Sequence, residues 1–127
     1  MSALADTSLF IASEQHRPVA VADLGDVLVS VITVGELGLG VVLAEDLAIR
    51  ARRLATLSFV QTSFEPLQVD AAAARAWSGL VGALRKGGRR APINDTWIAA
   101  IALSRGLAVI TQDHDYDNMP GVDVVHF

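Results

Sequence analysis

Short apolar runs that alternate with segments of helical spacing are the feature that most restricts how this chain can fold. Residues 27–31 and 107–111 are continuous apolar stretches rich in β-branched side chains, which is typical of strands covered on both faces. Residues 4–6 predict the end of a short first strand, and residues 122–127 predict a last strand. Strands separated by helices form βαβ units. The sequence therefore predicts an α/β fold with a mostly parallel central sheet.

Acidic and amide side chains mark where several of the predicted helices begin. Asp6 is expected to cap the helix that follows the first strand, and Asp70 to cap a helix that extends to residue 86. Asn94 or Asp95 is expected to cap a further helix, because short polar side chains accept hydrogen bonds from the free N–H groups of a first turn. These three helices fall between or beside the predicted strands.

The remaining segments are assigned from spacing and from glycine and proline. Residues 45–57 have the apolar and basic distribution of an amphipathic helix. Residues 33–43 also have helical spacing but include three glycines, for which close helix packing is expected. Residues 64–67 predict a short extended segment at a sheet edge, because proline cannot donate to a ladder. Residues 16–26 predict a short helix or loop.

Length and composition favour one domain over residues 1–127, since the chain shows no repeat, low-complexity tract or linker. No apolar run approaches the roughly 20 residues that a membrane span needs. The N-terminal residues lack the basic region of a signal peptide, so a cytoplasmic protein is expected. The absence of cysteine excludes disulfides, zinc–thiolate sites and thiol catalysis.

The charge balance does not decide between partners. Ten basic residues face fourteen acidic ones, which gives a net charge of -4. Nucleic-acid-binding proteins usually carry a basic excess. However, the four acids that are candidate metal ligands, Asp6, Glu36, Asp95 and Asp113, equal the whole acidic excess, and bound cations would offset them. The net charge therefore neither supports nor excludes an RNA substrate.

Four acids lie where the ends of parallel strands would bring them together. Asp6 follows the first predicted strand, Asp113 follows residues 107–111, and Asp95 lies at the start of a helix. Glu36 lies one turn into the helix after the second strand, beside a largely apolar stripe, with no lysine or arginine nearby in sequence. Ligands of open parallel sheets bind beyond the carboxyl ends of the strands. Because an unpaired, buried carboxylate is costly, a cation is a natural partner.

The chemistry of such a cluster favours a hard divalent cation. Clustered carboxylates raise one another's pKa unless a cation lies between them. Oxygen ligands without cysteine or histidine favour Mg²⁺ or Mn²⁺ over zinc. Such ions can activate water and stabilise the charge that develops on a phosphodiester. Each acid taken alone also has a structural explanation as a cap, first-turn or turn residue, so only the joint pattern of the four acids indicates a metal site.

The order and spacing of four motifs resemble the PIN domain family, and in particular the VapC toxins of bacterial toxin–antitoxin pairs. The resemblance covers the whole chain. Each motif alone is weak, but four in register are fairly specific. They are Asp6-Thr7-Ser8, Ile32-Thr33-Val34-Gly35-Glu36, Asn94-Asp95-Thr96-Trp97-Ile98-Ala99-Ala100 and Val109-Ile110-Thr111-Gln112-Asp113.

The resemblance implies a flavodoxin-like, three-layer sandwich and an Mg²⁺-dependent endoribonuclease, with Mn²⁺ as a possible substitute. It also implies a homodimer that a cognate VapB antitoxin holds inactive, and products with 3′-hydroxyl and 5′-phosphate ends. On the family pattern Asp6, Glu36, Asp95 and Asp113 would be the catalytic, metal-binding residues. Asp115 is a further metal ligand candidate, directly or through water.

Substrate contacts are expected from the densest basic run, which contains Arg85, Arg89 and Arg90 just before the Asp95 helix. This run is interpreted either as a phosphate-binding loop or as a solvated helix end with a flexible loop. Arg50, Arg52 and Arg53 are an alternative set, although a solvated helix face or a contact with an acidic antitoxin segment is favoured for them. His114 is expected to be an exposed turn residue rather than a general acid.

Three other classes of protein compete with the nuclease. A receiver-type phosphorylation module needs a lysine at a late strand end, but the chain's one lysine is Lys86. A haloacid-dehalogenase-like phosphatase needs an Asp-x-Asp motif, whereas Thr7 and Ser8 follow Asp6. A catalytically silent PIN-like module that binds RNA or an antitoxin stays open, because a complete ligand set indicates capability rather than activity.

Overall fold

The computed structural model describes residues 2–16 and 26–127, so the predicted helix or loop over residues 16–26 lies almost entirely outside the described residues. Within these ranges, none of the helices combines the length and the apolar character that a membrane crossing requires. A short 3₁₀ turn, His114–Asn118, lies between the last two strands. The strands and helices in chain order are β1 (Ser2–Ala5), α1 (Thr7–Glu14), β2 (Asp26–Val29), α2 (Val31–Leu43), α3 (Leu47–Ser63), α4 (Ala71–Lys86), α5 (Ile93–Ser104), β3 (Ala108–Thr111) and β4 (Val124–His126).

The described strands form one sheet in the order β2-β1-β3-β4, and every neighbouring pair is parallel. The predicted parallel α/β sheet is thus confirmed. On β1, Leu4 pairs with Leu28 of β2 on one side and with Val109 of β3 on the other. The chain passes from β1 outward to β2 in one direction and later to β3 in the other. Strand order therefore reverses between β1 and β3, where open sheets of this kind form a ligand crevice.

Helices cover both faces of the sheet, which makes the predicted three-layer sandwich. Because successive side chains of a strand point to opposite faces, Leu4 packs with α4 and α5 while its neighbours Ala3 and Ala5 pack with the helices of the other layer. The second layer contributes Phe10 from α1 and Val60 from α3, among others. Burial on both faces explains why these strands are short, continuous apolar runs.

Two helices begin at caps that differ from the predicted boundaries. β2 ends at Val29, two residues before the end of the predicted strand, because Ser30 caps α2 by accepting a hydrogen bond from the N–H of Thr33 at 3.4 Å. α3 begins after Asp46, which accepts from the N–H of Ile49, and it continues to Ser63 rather than ending at residue 57. Its extension buries Val60 against the sheet.

The prediction that Asn94 or Asp95 caps α5 is wrong. The N-cap is Pro92, with no capping hydrogen bond from a side chain, and Asp95 lies inside the first turn. Pro92 has a backbone φ of -59° and ψ of 130°, and its carbonyl accepts from the N–H of Thr96 at 2.9 Å. Since a proline ring fixes φ, it can define the start of a helix without a polar cap. The carboxylate of Asp95 is consequently free for other contacts.

Contrary to the prediction, Gly35 and Gly38 of α2 do not serve close packing against any other described part of the chain. Apart from adjacent residues and the backbone of α2 itself, a Cβ atom added at Gly35 or Gly38 would meet no atom of the described residues within 4 Å. At Gly40 the nearest atom would be Cδ of Arg53, at an ordinary 3.7 Å. Among residues 2–16 and 26–127, nothing therefore packs closely on α2 at Gly35 and Gly38.

Arginines of α3 satisfy backbone groups at the end of α2. Arg53 donates from Nη1 to the carbonyl of Gly40 at 2.7 Å, and Arg50 donates from Nε to the carbonyl of Val41 at 3.3 Å. The last four carbonyls of a helix have no partner within that helix. These contacts therefore stabilise the end of α2 and fix it against α3.

The segment 64–67 lies at the sheet edge, as predicted. Leu67 forms an isolated parallel bridge with Ser30, just beyond the end of β2. The N–H of Leu67 donates to the carbonyl of Val29 at 2.8 Å, and the carbonyl of Leu67 accepts from Val31 at 3.0 Å. This bridge closes the edge of the sheet next to the start of α2, the helix that carries Glu36.

Candidate metal centre

The candidate site lies at the carboxyl ends of β1 and β3, where strand order reverses. Asp6 follows β1 directly and caps α1, and its N–H donates to the carbonyl of Ile110 on β3 at 3.0 Å. Asp113 follows β3 by two residues and caps the 3₁₀ turn. Adjacent parallel strands thus deliver these two acids to one edge of the sheet.

Asp6 is buried and held by hydrogen bonds at both carboxylate oxygens. Its Oδ1 accepts from the N–H of Ser8 at 2.8 Å and from Oγ of Ser8 at 2.5 Å, while Oδ2 accepts from Oγ1 of Thr111 at 2.8 Å. Oγ of Ser8 in turn accepts from the N–H of Gln112 at 3.0 Å. Ser8 therefore does more than complete a cap, because it fixes the orientation of Asp6 and joins the two strand ends.

Glu36 reaches the same edge from α2. Its Oε1 accepts from Oγ1 of Thr7 at 2.6 Å, and its Oε2 accepts from Nδ2 of Asn94 at 3.4 Å. Thr7 is the neighbour of Asp6, and Asn94 is the neighbour of Asp95. These contacts place Glu36 beside the other acids and give the half-buried carboxylate polar partners despite its apolar helix.

Asp95, Asp113 and Asp115 form the tightest group of possible ligands at this edge. Their nearest carboxylate oxygens all lie within 4.8 Å of one another. The N–H of Asp115 donates to Oδ1 of Asp113 at 2.9 Å, which fixes the start of the 3₁₀ turn. Tyr116 donates its hydroxyl to Oδ1 of Asp95 at 3.2 Å, which fixes the carboxylate on α5.

Burial and mutual repulsion make it costly for all the carboxylates of the centre to be charged at once. The pKa of Asp95 is raised to about 7, first by burial, then by the charges of Asp113 and Asp6, and the hydrogen bond from Tyr116 offsets part of this rise. Burial and the neighbouring carboxylates raise the pKa of Tyr116 as well, so its hydroxyl stays protonated and remains a donor. Without a cation, the centre therefore holds a proton on Asp95 into the neutral range.

This donor set fits a hard divalent cation. The ligand atoms are carboxylate oxygens, which Mg²⁺ and similar ions prefer. A cation among Asp95, Asp113 and Asp115 would replace the proton and relieve the repulsion that raises the pKa of Asp95. The acidic group is thus suited to bind a metal ion.

The predicted acids differ in how closely they approach one another. Asp115, expected to be secondary, joins Asp95 and Asp113 in the compact group of described ligand atoms, whereas Asp6 and Glu36 lie outside that group. Asp6 still acts on Asp95 through its charge. Asp117, the remaining acid of the turn, instead contacts His114 and His126.

Two of the three predicted basic residues lie beside the acidic group. Arg89 and Arg90 line a cavity of about 300 Å³ together with Asp115 and Asn118. Arg89 also donates from Nη1 to Oδ1 of Asn118 at 2.7 Å. Arg85 lies in the last turn of α4 and is not among the residues that line this cavity.

Sequence reasoning missed two residues that position the acids. Thr111 is fully buried, and its Oγ1 donates to Asp6 while accepting from the N–H of Asp113 at 2.8 Å. Tyr116 is fully buried with its hydroxyl on Asp95. A signal existed for both, since a hydroxyl inside an apolar run, or an aromatic hydroxyl among acids, requires a hydrogen-bond partner once buried.

Comparison with known proteins agrees with this geometry. The PIN domain family matches residues 3–122. Ribonuclease VapC4 of Mycobacterium tuberculosis (strain ATCC 25618 / H37Rv) is 50% identical over 97% of this chain and 95% of its own length. Ribonuclease VapC5 of the same strain is also 50% identical, over 91% of this chain and 86% of its own. The crystal structure of VapBC-5 from M. tuberculosis, a member of the VapBC toxin–antitoxin systems, superposes with a TM-score of 0.81 at 44% identity, covering 99% of this chain and 97% of the other.

The chain is a parallel α/β/α sandwich with carboxylates where strand order reverses, and the PIN family matches it over residues 3–122. These features define its class as a PIN-domain nuclease. Within that class, the chain belongs to the VapC family of endoribonuclease toxins. Its enzyme class is therefore that of a hydrolase acting on RNA phosphodiester bonds.

Replacing Thr111 with valine tests whether its hydroxyl supports the centre. We expect Thr111→Val to lower the free energy of unfolding by about 1–3 kcal/mol, because a buried acceptor on Asp6 and the N–H of Asp113 lose their partner. Thr62→Val is the matched control, since Thr62 is exposed and should change stability by no more than about 0.5 kcal/mol. Urea denaturation measures both, and equal effects of the two variants would contradict this role.

The raised pKa of Asp95 predicts a pH dependence of stability in metal-free protein. The folded protein holds a proton on Asp95 up to about pH 7, whereas the unfolded chain releases it at the ordinary, lower carboxylate pKa. This contribution to the free energy of unfolding is thus fully present below the ordinary carboxylate pKa of 3.8, declines between that pH and about pH 7, and is lost above it. Denaturation in chelator across this range should show the decline, and Asp95→Asn should remove it while the exposed Asp123→Asn leaves it unchanged.

Proposed function

We propose that this VapC endoribonuclease requires Mg²⁺, with Mn²⁺ as a substitute. We propose further that the acidic centre, at the sheet edge where strand order reverses, is where RNA is cleaved. The observation that supports this most directly is that Asp95, Asp113 and Asp115 converge beside Asp6 and Glu36. The described contacts of these carboxylates include no positively charged side chain that would compensate their charge. When bound, the ion would activate water and offset negative charge on the phosphodiester.

The proposed ligands are Asp6, Glu36, Asp95 and Asp113, with Asp115 added because of its place in the compact group. The surrounding side chains keep these ligands in position. Ser8 and Thr111 hold Asp6, Tyr116 holds Asp95, and Thr7 holds one oxygen of Glu36. Ligands that are already oriented lose little conformational freedom when a cation binds, which favours binding.

Glu36 is the proposed acceptor of the proton from the attacking water. Its Oε1 is engaged by Thr7 at 2.6 Å, but its Oε2 makes only a long contact of 3.4 Å with Asn94. By contrast, both oxygens of Asp6 accept short hydrogen bonds. Oε2 of Glu36 is therefore the more available basic atom, and a general base has to reach the proton that it removes.

The proposed path for RNA passes over the cavity lined by Arg89 and Arg90. This cavity shares Asp115 with the acidic group, so a phosphate bound by the arginines would lie next to the metal ligands. Arginine suits this task because its planar guanidinium can bind phosphate oxygens in pairs. Arg85 is assigned at most a more distant contact, because it lies outside the cavity lining.

The proposed partners are a VapB-type antitoxin and a second copy of this chain, in the cytoplasm where RNA is accessible. VapBC-5, the related structure, belongs to a toxin–antitoxin system, which supports the antitoxin. Support for assembly comes from exposed apolar side chains on α2 and at the start of α3, namely Leu39, Val42, Leu43 and Leu47. Grouped, exposed apolar residues often mark protein interfaces.

Removal of a single carboxylate should abolish cleavage if the centre is assigned correctly. We expect Asp6→Asn and Asp95→Asn each to reduce Mg²⁺-dependent RNA cleavage at least about a hundredfold, because each removes a charge from the proposed metal centre. Asp123→Asn is the control, because Asp123 is an exposed carboxylate outside the acidic centre, and this variant should cleave as the parent does. Circular dichroism checks that the variants fold. Full activity in both site variants would refute the assignment, and an inactive parent with intact RNA or antitoxin binding would favour the silent module.

Substitution of the cavity arginines tests the RNA path. In the Asp95→Asn background, which keeps the RNA intact, Arg89→Ala with Arg90→Ala should weaken RNA binding most strongly at low salt. The slope of log affinity against log salt should decrease in magnitude by about 0.7 for each single-strand phosphate that the protein no longer neutralises. The control pair Arg52→Ala with Arg75→Ala removes the same charge from exposed positions on α3 and α4. If both pairs weaken binding equally, only overall charge is involved.

A further inference from the structure

Two histidines and one aspartate form a second cluster beside the acidic centre. His114 and Asp117 lie on the 3₁₀ turn, and His126 lies at the end of β4. Nδ1 of His114 is 2.9 Å from Oδ2 of Asp117, and Nε2 of His126 is 2.8 Å from Oδ1 of the same carboxylate. The two imidazole rings lie next to each other, with centroids 4.7 Å apart and planes inclined by 34°.

The backbone explains why these side chains meet. In a 3₁₀ helix, residues i and i+3 lie on the same face, so His114 and Asp117 share one side of the turn. β4 pairs in parallel with β3, in the register Thr111 with His126, which brings the end of β4 beside the start of the turn. Local periodicity and sheet register, rather than chance contact of surface side chains, therefore bring the three residues together.

The cluster has the donor atoms of a transition-metal site. One nitrogen of each ring and one carboxylate oxygen all lie within 4.8 Å of one another. Zinc binds histidine nitrogen and carboxylate oxygen at about 2.0–2.2 Å in tetrahedral sites, which requires neighbouring donors roughly 3.3 Å apart. The donor atoms lie within 4.8 Å of one another, so binding would require side-chain rotations that bring them to that value. All three residues are exposed, so water can supply a fourth ligand.

We propose that His114, Asp117 and His126 form a binding site for a divalent transition metal of the Zn²⁺ type, separate from the acidic centre. The two sites differ in chemistry as well as position. The acidic centre offers only oxygen atoms, which suit Mg²⁺, whereas two imidazole nitrogens select zinc and related ions over magnesium. An ion at this second site would fasten the end of β4 to the turn that carries Asp115 and Tyr116.

The alternative is that the three side chains make only the hydrogen bonds seen between them. The carboxylate of Asp117 accepts from both rings in that case, and no metal is needed to explain the geometry. The two explanations predict different behaviour toward added zinc. Only the metal site predicts stoichiometric binding that depends on all three residues.

Zinc chloride titrations of the full chain, in buffer with excess Mg²⁺ to saturate the acidic centre, distinguish the two. Calorimetry should show one Zn²⁺ per chain, and the affinity should fall at least about tenfold in His126→Ala and in Asp117→Asn, since each variant removes a direct ligand. The chain has three histidines, so His16→Ala is the matched control and should bind as the parent does. Nuclear magnetic resonance of the ring nitrogens should show His114 and His126 shifting on zinc addition while His16 does not.

Three outcomes would overturn the proposal. They are no stoichiometric binding, equal loss of affinity in the His16→Ala control, and loss of affinity in Asp95→Asn but not in Asp117→Asn. The last would assign the zinc to the acidic centre. Asp117→Asn keeps an oxygen that can accept hydrogen bonds, so this variant should stay folded and a loss of zinc affinity in it would not come from unfolding. Circular dichroism of each variant checks directly that it is folded.

Discussion

The hydrogen bonds that join Asp6 to Ser8 and Thr111 are the interaction on which the rest of the site depends. They connect the end of β1 to the end of β3 across the point where strand order reverses. Thr111 also binds the N–H of Asp113, so one buried hydroxyl sets the position of two acids. A sheet edge would otherwise end in two independent loops, and carboxylates on independent loops would move apart to reduce their repulsion. The fold thus holds charges together that would separate in solution.

Burial and that enforced proximity both carry an electrostatic cost, and together they raise the pKa of Asp95. The start of α5 contributes to it, because Pro92 rather than a side chain defines the first turn and leaves the Asp95 carboxylate directed to its acidic neighbours. Tyr116 lowers the cost only in part. A site that is unfavourable without a cation and favourable with one couples metal binding to local stability. Without the ion, the close carboxylates that the proposed metal site requires therefore lower the stability of this edge of the sheet.

The sequence predicted the parts of this structure that follow from local patterns, and it failed where distant residues decide. Apolar runs were sufficient for the parallel sheet, and caps at Asp6 and Asp70 were sufficient for two helices. Asp115 was predicted only as a further metal ligand, and its place within the compact acidic group depends on how the 3₁₀ turn faces α5, which local patterns do not show. The same holds for Gly35 and Gly38, whose surroundings depend on tertiary packing, and for Tyr116, whose partner is 21 residues away. The roles assigned to the acids in catalysis stay predictions.

The 3₁₀ turn shows how one short segment can serve two kinds of chemistry. Because the turn repeats every three residues, His114 and Asp117 share a face that looks toward β4, while Asp115 and Tyr116 face the acidic group and Asp95. An α-helical turn would distribute these side chains at about 100° intervals and would not separate the two sets so cleanly. Any interaction that fixes His126 against Asp117 therefore also limits the freedom of Asp115 and Tyr116. The geometry of the turn, rather than a direct contact, would carry an effect from one cluster to the other.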